Sequence, residues 1–106
     1  MATKRQLSGD AFNHETITVT DSAIGFTAAT RVKSDCNNII AIVTAEGGHM
    51  RYRYDGTDSP STTTGHLLAH GDMIVIEGSP NVAKFKAIRV GSVNGILRVT
   101  YEAVHG

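Results

Sequence analysis

The amino-acid sequence predicts an all-β domain, a two-sheet antiparallel sandwich of jelly-roll type with seven to eight short strands and an extended N-terminal arm. Short segments that are apolar, or that alternate between apolar and polar residues, recur at near-regular spacing with turn residues between them. The 11 glycines and the abundant threonines favour strands joined by turns. No segment shows a convincing helical period, so we expect no helix.

The chain of 106 residues is long enough for one domain with a single core. Residues 1–13 are polar and show no sustained periodicity, so we assign them to the arm, and we assign residues 14–106 to the sandwich domain. A polar terminal segment becomes ordered when it is held by a neighbouring subunit or packs on its own domain. Both arrangements remain open at this level.

Three strand candidates occupy the first half of the domain. Thr16–Thr20 alternates, which places Ile17 and Val19 inward and three threonines outward. Phe26–Val32 is a weaker candidate that a polar loop ends. Ile39–Val43 is apolar on both faces, which predicts a central strand that is covered on two sides.

The middle of the chain combines a strand, a long polar loop and a second strand. Gly47-Gly48 predicts a hairpin between Ile39–Val43 and His49–Tyr54, because glycine pairs suit tight hairpin turns. Alternation over residues 51–54 places two arginines on one face and two tyrosines on the other. A long polar loop and a Gly-Asp turn follow, and then the apolar strand Met73–Glu77.

The last two strands surround a further turn. Gly78–Asn81 predicts the turn that precedes the strand Ala83–Val90, in which the apolar positions change phase midway. Such a change indicates a bulge or a crossing between sheets. The final strand, Ile96–Glu102, alternates clearly, and its inward side chains are Leu97, Val99 and Tyr101.

Composition limits the classes of partner. The formal net charge is zero, which argues against a dedicated nucleic-acid-binding protein and lowers the electrostatic cost of docking on another protein. Cys36 is the single cysteine, so an internal disulfide is excluded. No apolar segment resembles a signal sequence or reaches the length of a membrane span. We therefore expect synthesis in the cytoplasm and no membrane partner.

Catalytic and metal-binding patterns are weak. His66 and His70 are spaced as metal ligands on a helix would be, with Asp72 close by, but they fall in a loop, where that spacing aligns nothing. The chain contains neither the His-x-His pair of cupins nor a Gly-x-Ser-x-Gly motif around a nucleophile. We expect no enzyme activity, no metal and no cofactor, and we interpret the histidines as exposed or interfacial.

Two basic and aromatic segments raise the alternative of single-stranded nucleic-acid binding. Residues 51–54 and 84–86 combine arginine or lysine with aromatic side chains, as stacking platforms do. Strand alternation, however, places the aromatic rings on the face opposite the charges. We therefore assign the aromatic residues to the core and expect no nucleic-acid partner.

The polar loop and the arm are the best candidates for partner contacts. Long loops within compact domains tend to be functional or to be ordered by a neighbour, although a solvated hairpin tip is the plain alternative. The candidate contact residues are Lys4, Arg5, Gln6, Leu7, Thr57, Asp58, Ser59, Pro60, Thr62, Thr63, Thr64 and His66.

Four segments together carry a resemblance to a known group of proteins: Tyr52–Gly56, Thr63–Leu68, Phe85–Gly91 and Leu97–Tyr101. Over residues 16–102 the chain resembles small all-β virion proteins of tailed phages, most of all capsid decoration (cement) proteins. The resemblance implies a non-enzymatic protein on the capsid exterior that binds the major capsid protein, stabilises the shell and forms a homo-oligomer, either a dimer or a trimer.

Two alternative functions remain. A tail-associated or carbohydrate-binding β-sandwich module would present exposed aromatic residues at one end of the sandwich. A cupin-like metalloenzyme would bind metal stoichiometrically, and it is the least supported of the three because the His-x-His pair is lacking.

Overall fold

The computed structural model describes residues 10–33, 36, 38–56 and 59–104, and in this part of the chain eight strands form two four-stranded antiparallel sheets. The strands, in chain order, are β1 (Asp10–Val19), β2 (Ile24–Gly25), β3 (Ile39–Gly47), β4 (Met50–Arg53), β5 (His66–Leu68), β6 (Met73–Glu77), β7 (Lys86–Arg89) and β8 (Gly95–Ala103). The first sheet has the order β1-β8-β3-β6 and the second has the order β2-β7-β4-β5. The predicted two-sheet sandwich is confirmed.

The strand pairing is that of a jelly roll. Each strand pairs with its counterpart counted from the other end of the chain: β1 with β8, β2 with β7, β3 with β6 and β4 with β5. The contacts of β3 with β8 and of β4 with β7 then complete the two sheets. The chain is therefore one long hairpin that is rolled into two layers, as in double-sheet jelly rolls.

Clear alternation identified the inward side chains correctly. Ile17 and Val19 of β1 are buried, and so are the three predicted inward residues of β8. The central strand β3 buries alternate residues in the core, and Ile40 on its opposite face is also fully buried. The prediction that this strand is covered on two sides therefore holds at Ile40.

Aromatic rings connect the two sheets through the core. Phe26 and Phe85 stack with ring centroids 4.3 Å apart, and Tyr101 of β8 meets Phe26 edge-on at 5.6 Å. Phe12 contacts Tyr101 at one end, and Tyr52 contacts Phe85 at the other. We call these five residues the aromatic column. Offset and edge-on ring pairs add stabilisation beyond the burial of area.

Glu15 joins the aromatic column to the backbone that follows β2. Its carboxylate accepts hydrogen bonds from the Tyr101 hydroxyl, from the Thr27 backbone N–H at 3.1 Å and from Thr27 Oγ1 at 2.7 Å. Burial, then the hydrogen bond to Glu15, raises the pKa of Tyr101 well above its ordinary value. The phenol is therefore held as a neutral donor to the carboxylate.

One short helix, α1 (Ser79–Lys84), was not expected among the described residues. Pro80 stands in its first turn, where a missing N–H costs little, and Val82 is its buried residue. The helix joins β6 in the first sheet to β7 in the second. Only residues 86–89 of the predicted strand over residues 83–90 form a strand. The predicted bulge or crossing at the change of phase is wrong, because β7 lies wholly in the second sheet with a continuous register to β4, and α1 makes the crossing before it.

The predicted hairpin at Gly47-Gly48 is wrong, because β3 and β4 lie in different sheets. The glycines serve a close backbone approach instead. A Cβ atom on Gly48 would lie 2.2 Å from the Val93 carbonyl oxygen, and the Gly48 N–H donates to the Asn94 carbonyl at 3.1 Å. The connection crosses between the sheets directly beneath the β7–β8 loop.

The other wrong predictions concern the positions and bounds of strands. The candidate Phe26–Val32 is a turn in which the Thr30 and Arg31 N–H groups both donate to the Thr27 carbonyl, and the strand here is β2. The strand β5 lies inside the predicted polar loop. The strand β1 begins at Asp10, so the last four residues assigned to the arm belong to the first sheet, and residues 1–9 lie outside the described part.

Within the described residues, no helix has the length and apolar character needed to span a membrane.

Replacing Gly48 by alanine is predicted to lower the free energy of unfolding by about 1–3 kcal/mol, because the new Cβ overlaps the Val93 carbonyl. Gly91→Ala is the matched control, since its Cβ meets nothing within 4 Å. We expect the control to be neutral or slightly stabilising. Chemical denaturation measures both, and equal stabilities for the two variants would contradict the close approach.

Alkaline pH is predicted to destabilise the protein through Tyr101. Above the ordinary value of 10.0, the unfolded chain releases a proton that the folded chain retains, so the free energy of unfolding falls as the pH rises. The slope from one such group is at most about 1.4 kcal/mol per pH unit. Denaturation over a pH series should give a shallower decline for Tyr101→Phe, and equal slopes would refute the assignment.

Candidate partner-binding site

The β4–β5 loop, which contains most of the predicted contact residues, is closed by its own hydrogen bonds. Ser61 and Thr64 exchange backbone hydrogen bonds at 3.0 and 3.4 Å, and the Ser61 hydroxyl accepts from the Thr63 N–H at 3.3 Å. These bonds fix the end of the loop as a tight turn. Its threonine side chains can therefore be presented without a large loss of conformational freedom on binding.

Arg51 clamps the same turn to β4. Its Nε donates to the Thr62 carbonyl at 3.1 Å and its Nη1 donates to the Gly65 carbonyl at 2.9 Å. Gly65 has φ of +124°, and a Cβ there would lie 2.9 Å from the Tyr52 carbonyl oxygen. The guanidinium fork bridges two carbonyls that a single ammonium could not bridge in the same way. Arg51 is thus a positioning residue for the loop.

The structure places half of the predicted contact residues. Lys4, Arg5, Gln6, Leu7, Thr57 and Asp58 lie outside the described residues. Pro60 is buried, whereas the exposed ones are Ser59, Thr62, Thr63, Thr64 and His66. The hydrogen bonds of the turn bring the threonines together, and His66 lies beyond the turn on β5, where it pairs with Tyr52.

Sequence reasoning missed the apolar edge of the first sheet. Met73 and Val75 of β6 point to the outer face and are 63% and 38% exposed, while Ile76 is buried in the core. In the register of the sheet, Val75 lies beside Ile42, which is half-buried on the same outer face. Among the described residues β6 pairs with β3 alone. We call Met73, Val75 and Ile42 the apolar edge.

The opposite edge of the same sheet differs in character. The exposed side chains of β1 include His14, Thr16 and Thr18, which are polar. Native proteins protect free strand edges with charges, bulges and covering segments. The pairing of β1 with β8 has an irregular register between Ala11 and Asn13, whereas the pairing of β6 with β3 has none. Of these two edges, β6 is the one that combines exposed apolar side chains with a regular ladder, so it is the less protected against pairing with another strand.

A second cluster forms at the start of the β4–β5 loop, where Tyr54 and His66 extend the aromatic column to the surface. Ring centroids are 5.2 Å apart for Tyr52 and His66, 6.3 Å for Tyr52 and Tyr54, and 6.4 Å for Tyr54 and His66. Burial, then Tyr54 and then the Asp72 carboxylate raise the pKa of Tyr52. We call the rings of Tyr52, Tyr54 and His66 the aromatic end.

A salt bridge lies next to the aromatic end. Arg53 Nη2 and Asp55 Oδ2 are 2.7 Å apart, and their side chains are 22% and 52% exposed. These two residues, Tyr54, Gly65 and His66 line a cavity of about 440 Å³. Ligand sites of small molecules have volumes of this order.

His70, Asp72 and Cys36 make local contacts. His70 Nδ1 accepts from the Gly47 N–H at 3.1 Å, and Asp72 Oδ2 accepts from the Ala69 N–H at 2.8 Å. Cys36 is a free, half-buried thiol whose Sγ lies 3.2 Å from the Val104 carbonyl. No group of three histidine, cysteine, aspartate or glutamate side chains is placed to hold a metal ion in the part of the chain that the structure describes.

Comparisons of the chain with protein-family models, with curated proteins and with solved structures returned no match. We therefore infer function from the geometry of the two edges, the loop and the aromatic end.

Replacing Arg51 by lysine is predicted to loosen the β4–β5 turn, because one ammonium cannot reach both the Thr62 and the Gly65 carbonyls. A loss of about 1–2 kcal/mol in local stability is expected for these hydrogen bonds. Amide hydrogen exchange should show it as faster exchange at Thr64. Arg98→Lys, at an exposed ion pair with Glu46, is the control, and equal exchange at Thr64 in both variants would refute the clamp.

Proposed function

We propose that the protein is a non-enzymatic virion structural protein, a decoration protein that binds major capsid protein subunits on the outside of a phage capsid and stabilises the shell. The observation that supports this most is the apolar edge of the first sheet. Jelly rolls are frequent in viral capsid proteins, but they also occur in lectin domains, so the fold alone does not select a function.

The apolar edge is suited to strand addition. An exposed strand edge offers backbone N–H and C=O groups to a further strand, and the alternate side chains of the edge strand add specificity. The sequence of β6 is Met-Ile-Val-Ile-Glu, so Glu77 at its end is its one charged residue. Outward Met73 and Val75 would then be covered by the partner, together with half-buried Ile42.

The apolar edge is small, and a small contact is sufficient on a capsid because the shell repeats it many times. The strip is short, so a single contact of this kind would be weak, but a symmetric shell and a dimeric or trimeric decoration protein engage many contacts at once. The zero net charge allows copies to approach one another and the shell without large repulsion. The ordered threonine turn of the β4–β5 loop is the second proposed contact with the shell.

The double substitution Met73→Lys with Val75→Lys is predicted to reduce binding to purified heads of the encoding phage by at least about a hundredfold, because two charges would be buried against the shell. Val93→Lys is the matched control, since Val93 is as exposed as Met73 and lies on the β7–β8 loop. Co-sedimentation with heads measures binding, and thermal unfolding confirms that each variant is folded.

Equal binding by the double variant and the control would refute the role of β6. Failure of the wild-type protein to bind heads would refute the function itself. In the same assay, removing residues 1–9 leaves β1 intact and tests the predicted contribution of the arm.

A further inference from the structure

The cavity at the aromatic end lies at the start of the β4–β5 loop, and the outward residues of β6 do not line it. Arg53 ends β4 and His66 begins β5, whereas Tyr54 and Asp55 directly follow β4 and Gly65 directly precedes β5. Two paired strands therefore set the positions of the lining residues. Neither of the two proposed contacts with the shell, the apolar edge and the threonine turn, contributes a lining residue to this cavity.

The rings of the aromatic end offer an apolar surface. The planes of Tyr52 and Tyr54 differ by 18° and those of Tyr54 and His66 by 25°, with centroids more than 6 Å apart. Rings in direct face-to-face contact would be only about 3.5–4 Å apart, so these rings are offset and do not cover one another. Tyr54 is 38% exposed, and His66 is exposed as well.

The rim of the cavity supplies hydrogen-bonding groups of both kinds. The Arg53 guanidinium donates and the Asp55 carboxylate accepts, and the two groups are in contact at 2.7 Å. Because the opposite charges of Arg53 and Asp55 meet, they largely offset one another. Hydrogen bonds in which one partner is charged are nonetheless stronger than neutral ones. The rim therefore suits an uncharged ligand with several hydroxyl groups.

We propose that the aromatic end is a binding site for an uncharged carbohydrate, in which a sugar ring lies on Tyr54 and His66 and its hydroxyl groups meet Arg53 and Asp55. A pyranose matches both features of the cavity, the apolar ring surface and the hydrogen-bonding rim. The C–H groups on one of its faces form an apolar surface that packs on an aromatic ring, and its hydroxyls both donate and accept at its edge.

The fit to the cavity is also one of size. A volume of about 440 Å³ is large enough for one or two sugar rings. Gly65 lines the cavity and permits the close approach of its own backbone to β4. The aromatic end is supported from below, because Tyr52 rests on Phe85 in the core. Such a platform loses little freedom when a ligand binds.

Glycan binding by the full-length chain tests the proposal. The probes are immobilised uncharged oligosaccharides built from glucose, galactose, mannose and N-acetylglucosamine, and hits are titrated by isothermal calorimetry. We expect wild-type protein to bind at least one of these glycans. Tyr54→Ala should weaken that binding about tenfold or more, because a partly exposed ring is lost from the contact.

Two further variants make the result specific. Tyr54→Phe keeps the ring and should bind nearly as well as wild type, whereas Val93→Ala removes an exposed apolar side chain away from the cavity and should change nothing. Thermal unfolding checks that Tyr54→Ala is folded. Absence of binding to every uncharged glycan at millimolar concentration, or equal binding by Tyr54→Ala, would overturn the proposal.

Preference for other ligands would also overturn it. Stronger binding to sialylated or phosphorylated glycans, or to single-stranded oligonucleotides, would assign the aromatic end to an anion or to a base instead of a neutral sugar. Binding to phage heads is a separate measurement that depends on Met73 and Val75. A negative glycan result therefore leaves the proposed capsid role untouched, and a negative capsid result leaves the glycan site untouched.

Discussion

The contact of Tyr101 with Phe26, and of Phe26 with Phe85, holds the two sheets together. Tyr101 belongs to β8, whereas Phe26 and Phe85 lie on the connections next to β2 and β7. The strand β2 has only two residues, so its own ladder is too short to keep it in place. Ring packing and the hydrogen bonds from Thr27 to Glu15 hold β2 in place instead. The second sheet is thereby fixed against the longer first sheet.

Local pattern predicted the long strands of the fold but not their lateral order. The segments that became β3 and β6 are both short apolar runs, yet one lies in the centre of its sheet and the other at its edge. Their neighbours come from distant parts of the chain, so no local period distinguishes them. The sequence also did not predict that Met73 and Val75 are exposed on the outer face, because an apolar run predicts burial on both faces.

The smaller errors have separate causes. The strands β2 and β5 are too short to show a period, and Pro80 suits the first turn of a helix as well as it suits a turn. The glycine pair at residues 47–48 was correctly identified as a place of tight backbone geometry, but sequence could not show which segment approaches it. Tyr54 and His66 meet only because β4 and β5 pair across the whole loop. Strand alternation assigns both tyrosines to the core, and this is wrong at Tyr54, which is 38% exposed and lies beside His66.

The rolled-hairpin topology has a consequence for how the chain folds. The strand β1 pairs with β8 at nine register positions, from Asp10 with Ala103 to Val19 with Gly95, so the two ends of the described chain must meet to complete the first sheet. Closing such a long loop is entropically costly, and domains dominated by distant pairs fold slowly. Until β1 and β8 pair, each of them exposes a strand edge to neighbouring chains. The speed of that pairing therefore sets how long these edges stay open to aggregation.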